Sequence, residues 1–312
     1  MTYVIKARSS ATELSILRSL HSRVALVENE FKRFVNLSKG LEGEDQFIHL
    51  IESLQSDTYL LHDICFEHNH SVFQIDTMLI SEKEILLFEV KNYEGEFVYD
   101  AGTFRLVSNN QEIINPLHQL NRSIALLRSM LKSSNLSIKG YLAFINPEFT
   151  LLQAPVDTPI ILPTQLKRFM KRLEQVPSSL SAKHLQLAEG LLKLHLPKSP
   201  YVRVPHYAYE ELKKGILCSS CFTFMEQKDS RFMSCKNCGL SEVVDDSILR
   251  SIEELRLLFP DRMITTRQVW DWCGSDVSIK TIRRVLGQNY TPKGLRRHRY
   301  FVHKILIDST TN

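Results

Sequence analysis

Residues 73–95, FQIDTMLISEKEILLFEVKNYEG, constrain the fold of this chain more than any other stretch. They predict two neighbouring β-strands, residues 72–80 and 84–91. Four successive apolar residues in the second strand are typical of the centre of a sheet that is covered on both faces. Because side chains alternate along a strand, Glu89 and Lys91 share one face. A charged pair on a buried strand costs free energy unless partners or a metal satisfy it, so this position indicates a functional site.

The neighbouring segments predict an α/β (α+β) fold with a mixed sheet. A helix capped by Asn115, with Pro116 at its first position, follows the two strands. A further strand returns through this helical crossover, so the sheet contains both parallel and antiparallel pairs. The predicted elements in order are helix 42–54, strands 59–66, 72–80 and 84–91, a hairpin of 96–99 and 103–107, the helix after Asn115, strands 139–146 and 159–162, and helices 164–173 and 182–194.

The N-terminal region predicts helices. Apolar residues at helical spacing in residues 11–37 indicate one long amphipathic helix or two shorter ones. In the next helix, residues 42–54, Glu44 lies three residues before Phe47 and shares its inward face. We expect the helix dipole to favour this carboxylate in a first turn, whereas an ordinary N-terminal glutamate would point outward.

Glu44, Asp76, Glu89 and Lys91, with Gln74 beside Asp76, form the first candidate site. Phosphodiester cleavage calls for a divalent cation that neutralises the phosphate and lowers the pKa of an attacking water. Mg²⁺ and Mn²⁺ prefer oxygen ligands, which carboxylates at the ends of neighbouring elements supply. A lysine beside a ligand can orient the water or stabilise the developing charge. The alternative interpretation is a buried structural ion pair between Lys91 and a carboxylate, although such pairs seldom repay their desolvation cost.

Three groups of residues in this region resemble the nuclease-related domain (NERD), a family of the PD-(D/E)xK nuclease superfamily. They are Gly43-Glu44, Gln74-Ile75-Asp76 and Glu89-Val90-Lys91-Asn92-Tyr93-Glu94-Gly95, and Asn115-Pro116 with Gln119 matches the helix that follows in the family. The resemblance covers about residues 38–164. It implies an αβββαβ core and metal-dependent nuclease chemistry, with Ile75 in place of the superfamily's proline, as is usual in NERD domains. The roles that it implies are Asp76 and Glu89 as ligands of Mg²⁺ or Mn²⁺, Lys91 as the catalytic lysine, Glu44 as a further acid, and Gln74 and Gln119 as supporting polar residues.

Four of the six cysteines occur as two C-x-x-C pairs, and this spacing indicates a metal site rather than disulfides. Cys218, Cys221, Cys235 and Cys238 predict a zinc ribbon in which four thiolates bind one Zn²⁺ and Gly239 permits a tight turn. Because the thiolates leave no position open, the ion would be structural. It would supply much of the folding free energy of this small module, on the order of 10 kcal/mol. A redox-active dithiol is the alternative interpretation.

The basic C-terminal region predicts a helix-turn-helix, or winged-helix, module that binds nucleic acid. Three helices are predicted, at residues 248–258, 267–273 and 279–286. Thr266 and Ser278 would cap the second and third helices, and Gly287 would end the third. The third helix would enter a groove of DNA, and residues 290–294 and 296–303 would form a wing. The candidate nucleic-acid-binding residues are Lys280, Arg283, Arg284, Arg296, Arg297 and Arg299.

The same region has apolar residues that we assign to packing. We expect Ile279, Ile282 and Leu286 to turn toward a core, because they share one face of the third helix. Trp270 and Trp272 are predicted to pack in that core rather than to stack on bases. Because amphipathic basic helices also mediate protein contacts, a protein partner is the alternative use of this module.

The length of 312 residues and the changes in composition along it indicate several domains. The predicted division is an N-terminal helical segment at 1–37, a nuclease-related domain at 38–175, a helical linker at 176–214, a zinc ribbon at 215–245 and a helix-turn-helix-like module at 246–312. No apolar run reaches the ~18 residues of a membrane helix, and the N-terminus has no signal-peptide pattern. We therefore expect a cytoplasmic protein without a membrane partner.

Together these features predict a metal-dependent nuclease that hydrolyses phosphodiester bonds, with DNA as the expected substrate and the C-terminal modules as its docking site. The net charge of +4 says little by itself, whereas the basic C-terminal cluster favours nucleic acid. One alternative is a catalytically inactive DNA-binding or regulatory protein built on a degenerate nuclease core. The other is a protein-interaction scaffold.

Overall fold

The computed structural model describes residues 1–8, 12–100, 102–132, 135–197, 202–274, 276–295 and 298–304. The chain divides into two compact units. Met1–Ser10 and Val35–Val202 form the first unit, and Ala11–Phe34 and Arg203–Asn312 form the second. The fold is mixed α+β, with eight α-helices and four sheets among the described residues. The finer division into five segments stays a prediction.

The helices and strands have the following bounds. The helices are α1 (Thr12–Arg23), α2 (Glu28–Glu52), α3 (Pro116–Met130), α4 (Pro163–Gln175), α5 (Ala182–Leu194), α6 (Val244–Leu258), α7 (Thr266–Cys273) and α8 (Ile279–Asn289). The strands are β1 (Thr2–Lys6), β2 (Thr58–His68), β3 (Ser71–Ile80), β4 (Glu84–Lys91), β5 (Gly95–Asp100), β6 (Thr103–Leu106), β7 (Glu112–Ile113), β8 (Ser137–Phe144), β9 (Phe149–Leu152), β10 (Ile160–Ile161), β11 (Glu226–Gln227), β12 (Phe232–Ser234), β13 (Ser241–Val243), β14 (Tyr290–Lys293) and β15 (Tyr300–His303).

The main sheet of the first unit has six strands in the order β1-β2-β3-β4-β8-β10. Strands β2, β3 and β4 pair antiparallel, whereas the pairs β1–β2, β4–β8 and β8–β10 are parallel. The sheet is therefore mixed, and the order α2, β2, β3, β4, α3, β8 confirms the predicted αβββαβ core. The edge strand β1 is missing from the sequence prediction, because this short run becomes a strand only through its pairing with β2, which sets Thr2 beside Thr58.

Two apolar cores cover the two faces of this sheet. Helices α3 and α5 and a smaller sheet of order β7-β6-β5-β9 contribute to the first core, and α2 and α4 contribute to the second. Side chains of β4 alternate between them, with Leu87 in the first core and Phe88 in the second. By the same alternation, Glu89 and Lys91 continue the face of β4 that Leu87 occupies, at the end of the strand.

The helix that carries Glu44 is longer than the sequence predicts. Helix α2 begins at Glu28 and runs through Gly40 and Gly43, so Glu44 lies in its interior and the expected support from a first-turn helix dipole is wrong. Gly43 serves packing instead of a helix start, because a Cβ atom there would lie 2.6 Å from the Cβ atom of Asn92. This close approach brings α2 against the chain that leaves β4.

The second unit contains α1, the cysteine-rich segment and the C-terminal helices. Strands β11, β12 and β13 form an antiparallel sheet, and β14 and β15 pair antiparallel in the region where the sequence predicts a wing. A single bridge between Ile264 and Phe301 adds the segment before α7 to the wing. As predicted, Trp272 is fully buried in the core of this unit, and Trp270 packs partly against it.

Three details of the C-terminal helices differ from the sequence prediction. The N-cap of α7 is Thr265, whose hydroxyl accepts a hydrogen bond from the Gln268 N–H. Gly287 does not end α8, which continues to Asn289, because a glycine can remain helical at a modest cost. Ile279 is 43% exposed instead of inward-facing, since it is the first residue of α8 and extends beyond the core.

Candidate metal centres

The first candidate site lies where β3 and β4 separate. The antiparallel pairing of these strands ends at Thr77 and Phe88. Beyond that point the N–H of Val90 donates to the side chain of Asp76, with Oδ2 at 2.9 Å, instead of to a backbone carbonyl. The Asp76 carboxylate therefore takes the place of a strand partner and is fixed at the open end of the two strands.

Glu89 and Lys91 lie beside it on the same face of β4. Glu89 is 2% exposed, and its Oε1 atom lies 2.6 Å from Nζ of Lys91. The ion pair of the alternative interpretation is thus present. It does not stand alone, because Asp76 interacts electrostatically with both of its members.

Burial and the charge of Asp76 affect the glutamates of this site. Burial and then repulsion from Asp76 raise the pKa of Glu44 to about 8 and that of Glu89 to about 8. Burial also raises the pKa of Asp76, against the opposing effect of Lys91. Burial alone would lower the pKa of Lys91, but Glu89 and Asp76 outweigh it and raise that pKa. Burial is the largest cause of each raised carboxyl pKa, so the fold holds these acids where their charged forms are poorly compensated.

Asp63 is a fourth acid of this region, and the sequence prediction misses it. Asp63 has a φ of +50° within β2, where it lies opposite Asp76 between the pairs His62–Thr77 and Ile64–Ile75. Its negative charge contributes to the raised pKa values of Glu44 and Asp76. An aspartate that interrupts the apolar run YLLHDICF is the sequence signal that could have indicated it.

Basic and amide side chains stabilise the part of β2 around Asp63. Lys6 donates to the carbonyl oxygens of His62 and Asp63, each at 2.8 Å. Gln74 donates through Nε2 to Asp63 Oδ1 at 2.8 Å. The predicted supporting residue Gln74 therefore contacts Asp63. Arg8, which pairs with an acid on α2, also counters the negative charge around Glu44.

Gln119 is placed on the exposed side of α3. One turn later, the hydroxyl oxygen of Ser123 lies 3.4 Å from the carbonyl oxygen of Gln74. Helix α3 therefore passes over β3 close to the acids. The catalytic and metal-binding roles of the six predicted residues, Glu44, Gln74, Asp76, Glu89, Lys91 and Gln119, stay predictions.

The chemistry of the donors fits a hard divalent cation. Carboxylate oxygens are ligands that Mg²⁺ and Mn²⁺ prefer. The carboxylates are not drawn together as closely as the cysteines, however. Among the described residues, only the four cysteines form a group of three or more His, Cys, Asp or Glu side chains whose ligand atoms all lie within 4.8 Å of one another.

The raised pKa values predict that the metal-free protein loses stability as the pH rises. In the unfolded chain Glu44 and Glu89 titrate near 4.5, and in the folded chain near 8. Between these values the folded state binds more protons than the unfolded state. The free energy of unfolding therefore falls with rising pH, by about 1.4 kcal/mol per pH unit for each carboxyl that stays protonated.

Melting temperatures measured at pH 5.5, 6.5 and 7.5, without Mg²⁺ or Mn²⁺, test this prediction. Glu89→Gln removes one of the two titrations and should show a smaller decline than the wild type. Glu148→Gln, at an exposed position of the same unit, is the matched control and should decline like the wild type. A decline in Glu89→Gln as large as that of the wild type would contradict the assignment.

The second candidate site is the cysteine cluster in the second unit. Sγ of Cys218 lies 3.6 Å from Sγ of Cys238, and Sγ of Cys221 lies 3.4 Å from Sγ of Cys235. Thiolates around one tetrahedral Zn²⁺, at about 2.3 Å from the ion, would lie about 3.8 Å apart. None of the four is in a disulfide, so the cluster could bind zinc.

Two similar turns hold the cysteines. In the first, the N–H of Phe222 donates to the carbonyl of Cys218, and in the second, the N–H of Gly239 donates to that of Cys235. Both Phe222 and Gly239 have positive φ, at +59° and +76°, so the predicted glycine turn is present and a phenylalanine adopts its equivalent. Hydrogen bonds with the side chains of Thr223 and Asn237 lower the pKa of Cys221 to about 5.

The predicted nucleic-acid-binding residues have different surroundings. Lys280, Arg283 and Arg299 are exposed. Arg284 forms a two-bond ion pair with Asp245, at 2.6 and 2.7 Å, so that its charge is partly neutralised. Arg296 and Arg297 lie outside the described residues.

Comparison with known proteins bears on the first unit. The family model NERD, the nuclease-related domain, matches residues 39–145, which include Glu44, Asp76, Glu89 and Lys91. No curated protein and no solved structure matches the chain. Among the described residues, no helix combines the length and the apolar character that a membrane span requires.

Proposed function

We propose that this chain is a metal-dependent nuclease that hydrolyses phosphodiester bonds of DNA. The observation that carries the proposal is the meeting of Glu44 from α2, Asp76 from β3, and Glu89 and Lys91 from β4 where the pairing of β3 and β4 ends. The match of this region to the nuclease-related domain supports it.

Each residue of this site would have a separate role. Asp76, Glu89 and Glu44 would hold Mg²⁺ or Mn²⁺. A divalent cation bound there would neutralise phosphate charge and lower the pKa of a water. The Val90 N–H fixes the orientation of the Asp76 carboxylate. Lys91 stays protonated beside Glu89 and offers its charge to the negative charge that develops on the phosphate during attack.

The second unit would serve binding instead of chemistry. We assign Zn²⁺ to the four cysteines as a structural ion, since the thiolates leave no coordination position for a substrate. Helices α7 and α8 with the wing β14–β15 would form a winged-helix-like module. The exposed residues that could contact phosphates are Lys280, Arg283 and Arg299, whereas Arg284 forms an ion pair with Asp245.

A cleavage assay tests the proposal. Purified protein is incubated with labelled duplex DNA, single-stranded DNA and RNA in Mg²⁺ and in Mn²⁺. We expect DNA to be cleaved in the presence of either ion. Cleavage should stop when the ion is removed and should resume when the ion is added back. A protein that leaves all three substrates intact with both ions would contradict the proposal.

A second candidate is a nucleic-acid-binding protein that has lost cleavage. The ion pair between Lys91 and Glu89 favours it, because the lysine holds an oxygen that a metal would otherwise bind. This alternative predicts DNA binding that weakens with salt and no cleavage with either ion. Substitution of Arg283 would then matter more than substitution of Glu89.

A further inference from the structure

The exposed face of α4 carries a row of basic side chains that the proposed mechanism does not use. The row, which we name the α4 basic ridge, consists of Lys167, Arg168, Lys171 and Arg172. All four are exposed, and positions three and four residues apart share one face of a helix, so the charges form one strip. The opposite face of α4, with Phe169 at its centre, is buried in the second core of the first unit.

The ridge forms no ion pair with the acid of its own helix, Glu174, which instead accepts a hydrogen bond from the Gln55 N–H. Some other exposed cations are paired, such as Lys39 with Glu94 and Arg284 with Asp245. No ion pair to an acid joins the ridge to the part of the chain that the structure describes, although the Arg172 guanidinium lies over the Phe169 ring at 5.7 Å. Like charges four residues apart destabilise a helix, and here two such pairs occur together. A local conflict without compensation inside the fold indicates an external partner.

The buried face of α4 restricts the class of that partner. A basic amphipathic helix can bind a membrane when its apolar face enters the lipid. The apolar face of α4 is already occupied by the core, since Leu166, Phe169 and Met170 are 6–7% exposed. Only the charged face remains available, and it complements a polyanion.

The sheet places the start of α4 at the edge that holds the acids, although α4 covers the face opposite to the one that Glu89 and Lys91 share. Strands β4, β8 and β10 are parallel, with Lys91 beside Phe144 and Ile161 beside Ala143. Their carboxyl ends therefore lie at one edge, and α4 begins at Pro163, immediately after β10. One strand separates β10 from β4, which corresponds to about 10 Å across the sheet. Lys167 follows about 6 Å along the helix axis from Pro163.

We propose that the α4 basic ridge binds the phosphate backbone of the DNA beside the acid site. Lys167 and Arg168 lie one turn before Lys171 and Arg172, about 6 Å along the helix. A DNA strand presents a phosphate about every 3.4 Å of its axis, so the ridge can contact two or three successive phosphates. The inference rests on the proposed DNA substrate but not on cleavage, and it gives the first unit a docking surface of its own.

Binding measurements without cleavage test the ridge. The full chain with Glu89→Gln is titrated into labelled duplex DNA, and the affinity is followed by fluorescence anisotropy as a function of salt. Changing all four ridge residues to Gln keeps helix-favouring side chains and should weaken binding roughly tenfold or more at low salt. The slope of log affinity against log salt should fall by about one for each phosphate contact that is lost, thus by about two to three.

The matched control removes the same charge from the opposite edge of the sheet, where β4 begins. Lys83, Lys132, Lys139 and Lys183, which are exposed at or near that edge, are changed to Gln together. This control should change the slope much less than the ridge variant. Equal slopes for the two variants would overturn the inference. It would also be overturned if the parent protein did not bind DNA, or if the ridge were needed for binding to heparin but not for binding to DNA. Ridge-dependent DNA binding by a wild type that does not cleave would support the ridge and overturn the nuclease proposal.

Discussion

Asp76→Asn is expected to reduce the rate of DNA cleavage by roughly 10²–10⁴-fold. Loss of a ligand weakens the charge stabilisation that a divalent cation gives the transition state, which is worth several kcal/mol. The substitution is nearly isosteric. The amide oxygen can still accept the hydrogen bond from Val90, so the separation of β3 and β4 should persist. Single-turnover cleavage in saturating Mg²⁺ measures the effect.

Stability of the same variant separates chemistry from folding. Asp76 repels Glu44 and Glu89, and its removal should leave the melting temperature of the metal-free protein unchanged or higher. Glu148→Gln, on the exposed surface of the first unit, should cleave like the wild type. Wild-type cleavage by Asp76→Asn would exclude Asp76 from the metal site, whereas a large fall in melting temperature would show that its role is structural.

Cys235→Ser is expected to abolish zinc binding and to unfold the cysteine-rich segment. Cys235 is 3% exposed and lies 3.4 Å from Cys221, so its loss removes a central ligand of the cluster. Metal binding supplies on the order of 10 kcal/mol to small zinc modules. This exceeds what three short strands of two or three residues can contribute. Zinc content per chain and amide hydrogen exchange across residues 218–243 measure the result.

Cys65→Ala is the matched control for that experiment. Cys65 is also a buried free cysteine, but it lies in β2 of the first unit. This variant should keep one zinc ion per chain and the exchange protection of residues 218–243. Full zinc content and unchanged protection in Cys235→Ser would contradict the assignment of a structural zinc site.

Much of the fold is readable from the sequence where local patterns and packing agree. The apolar run of β4 and the helical period of α5 predict bounds of 84–91 and 182–194, and the structure has the same bounds. The two C-x-x-C pairs predict four thiols that come together, as they do. Asn115 caps α3 through a hydrogen bond from the Leu117 N–H, with Pro116 at the first position of the helix.

The features that the sequence misses depend on distant partners. The interior of α2 keeps Gly43 because of Asn92, and no local rule predicts a helix through two glycines. Lys6 supports Asp63 across the pairing of β1 with β2. The charge of Arg284 is visible in the sequence, but its pairing with Asp245, 39 residues away, is not. The sequence therefore points to Glu44, Asp76 and Glu89, but it does not predict Asp63 or its positive φ within β2.

Metal binding in the absence of nucleic acid tests the central claim most directly. Zinc-loaded wild type and Glu89→Gln are titrated with Mn²⁺ by calorimetry at pH 8, where the acids are most readily ionised. We predict one Mn²⁺ site in the wild type that Mg²⁺ displaces, and a loss of at least tenfold in affinity in Glu89→Gln. No binding by the wild type, or equal binding by the two proteins, would contradict a divalent-cation site formed by Glu44, Asp76 and Glu89.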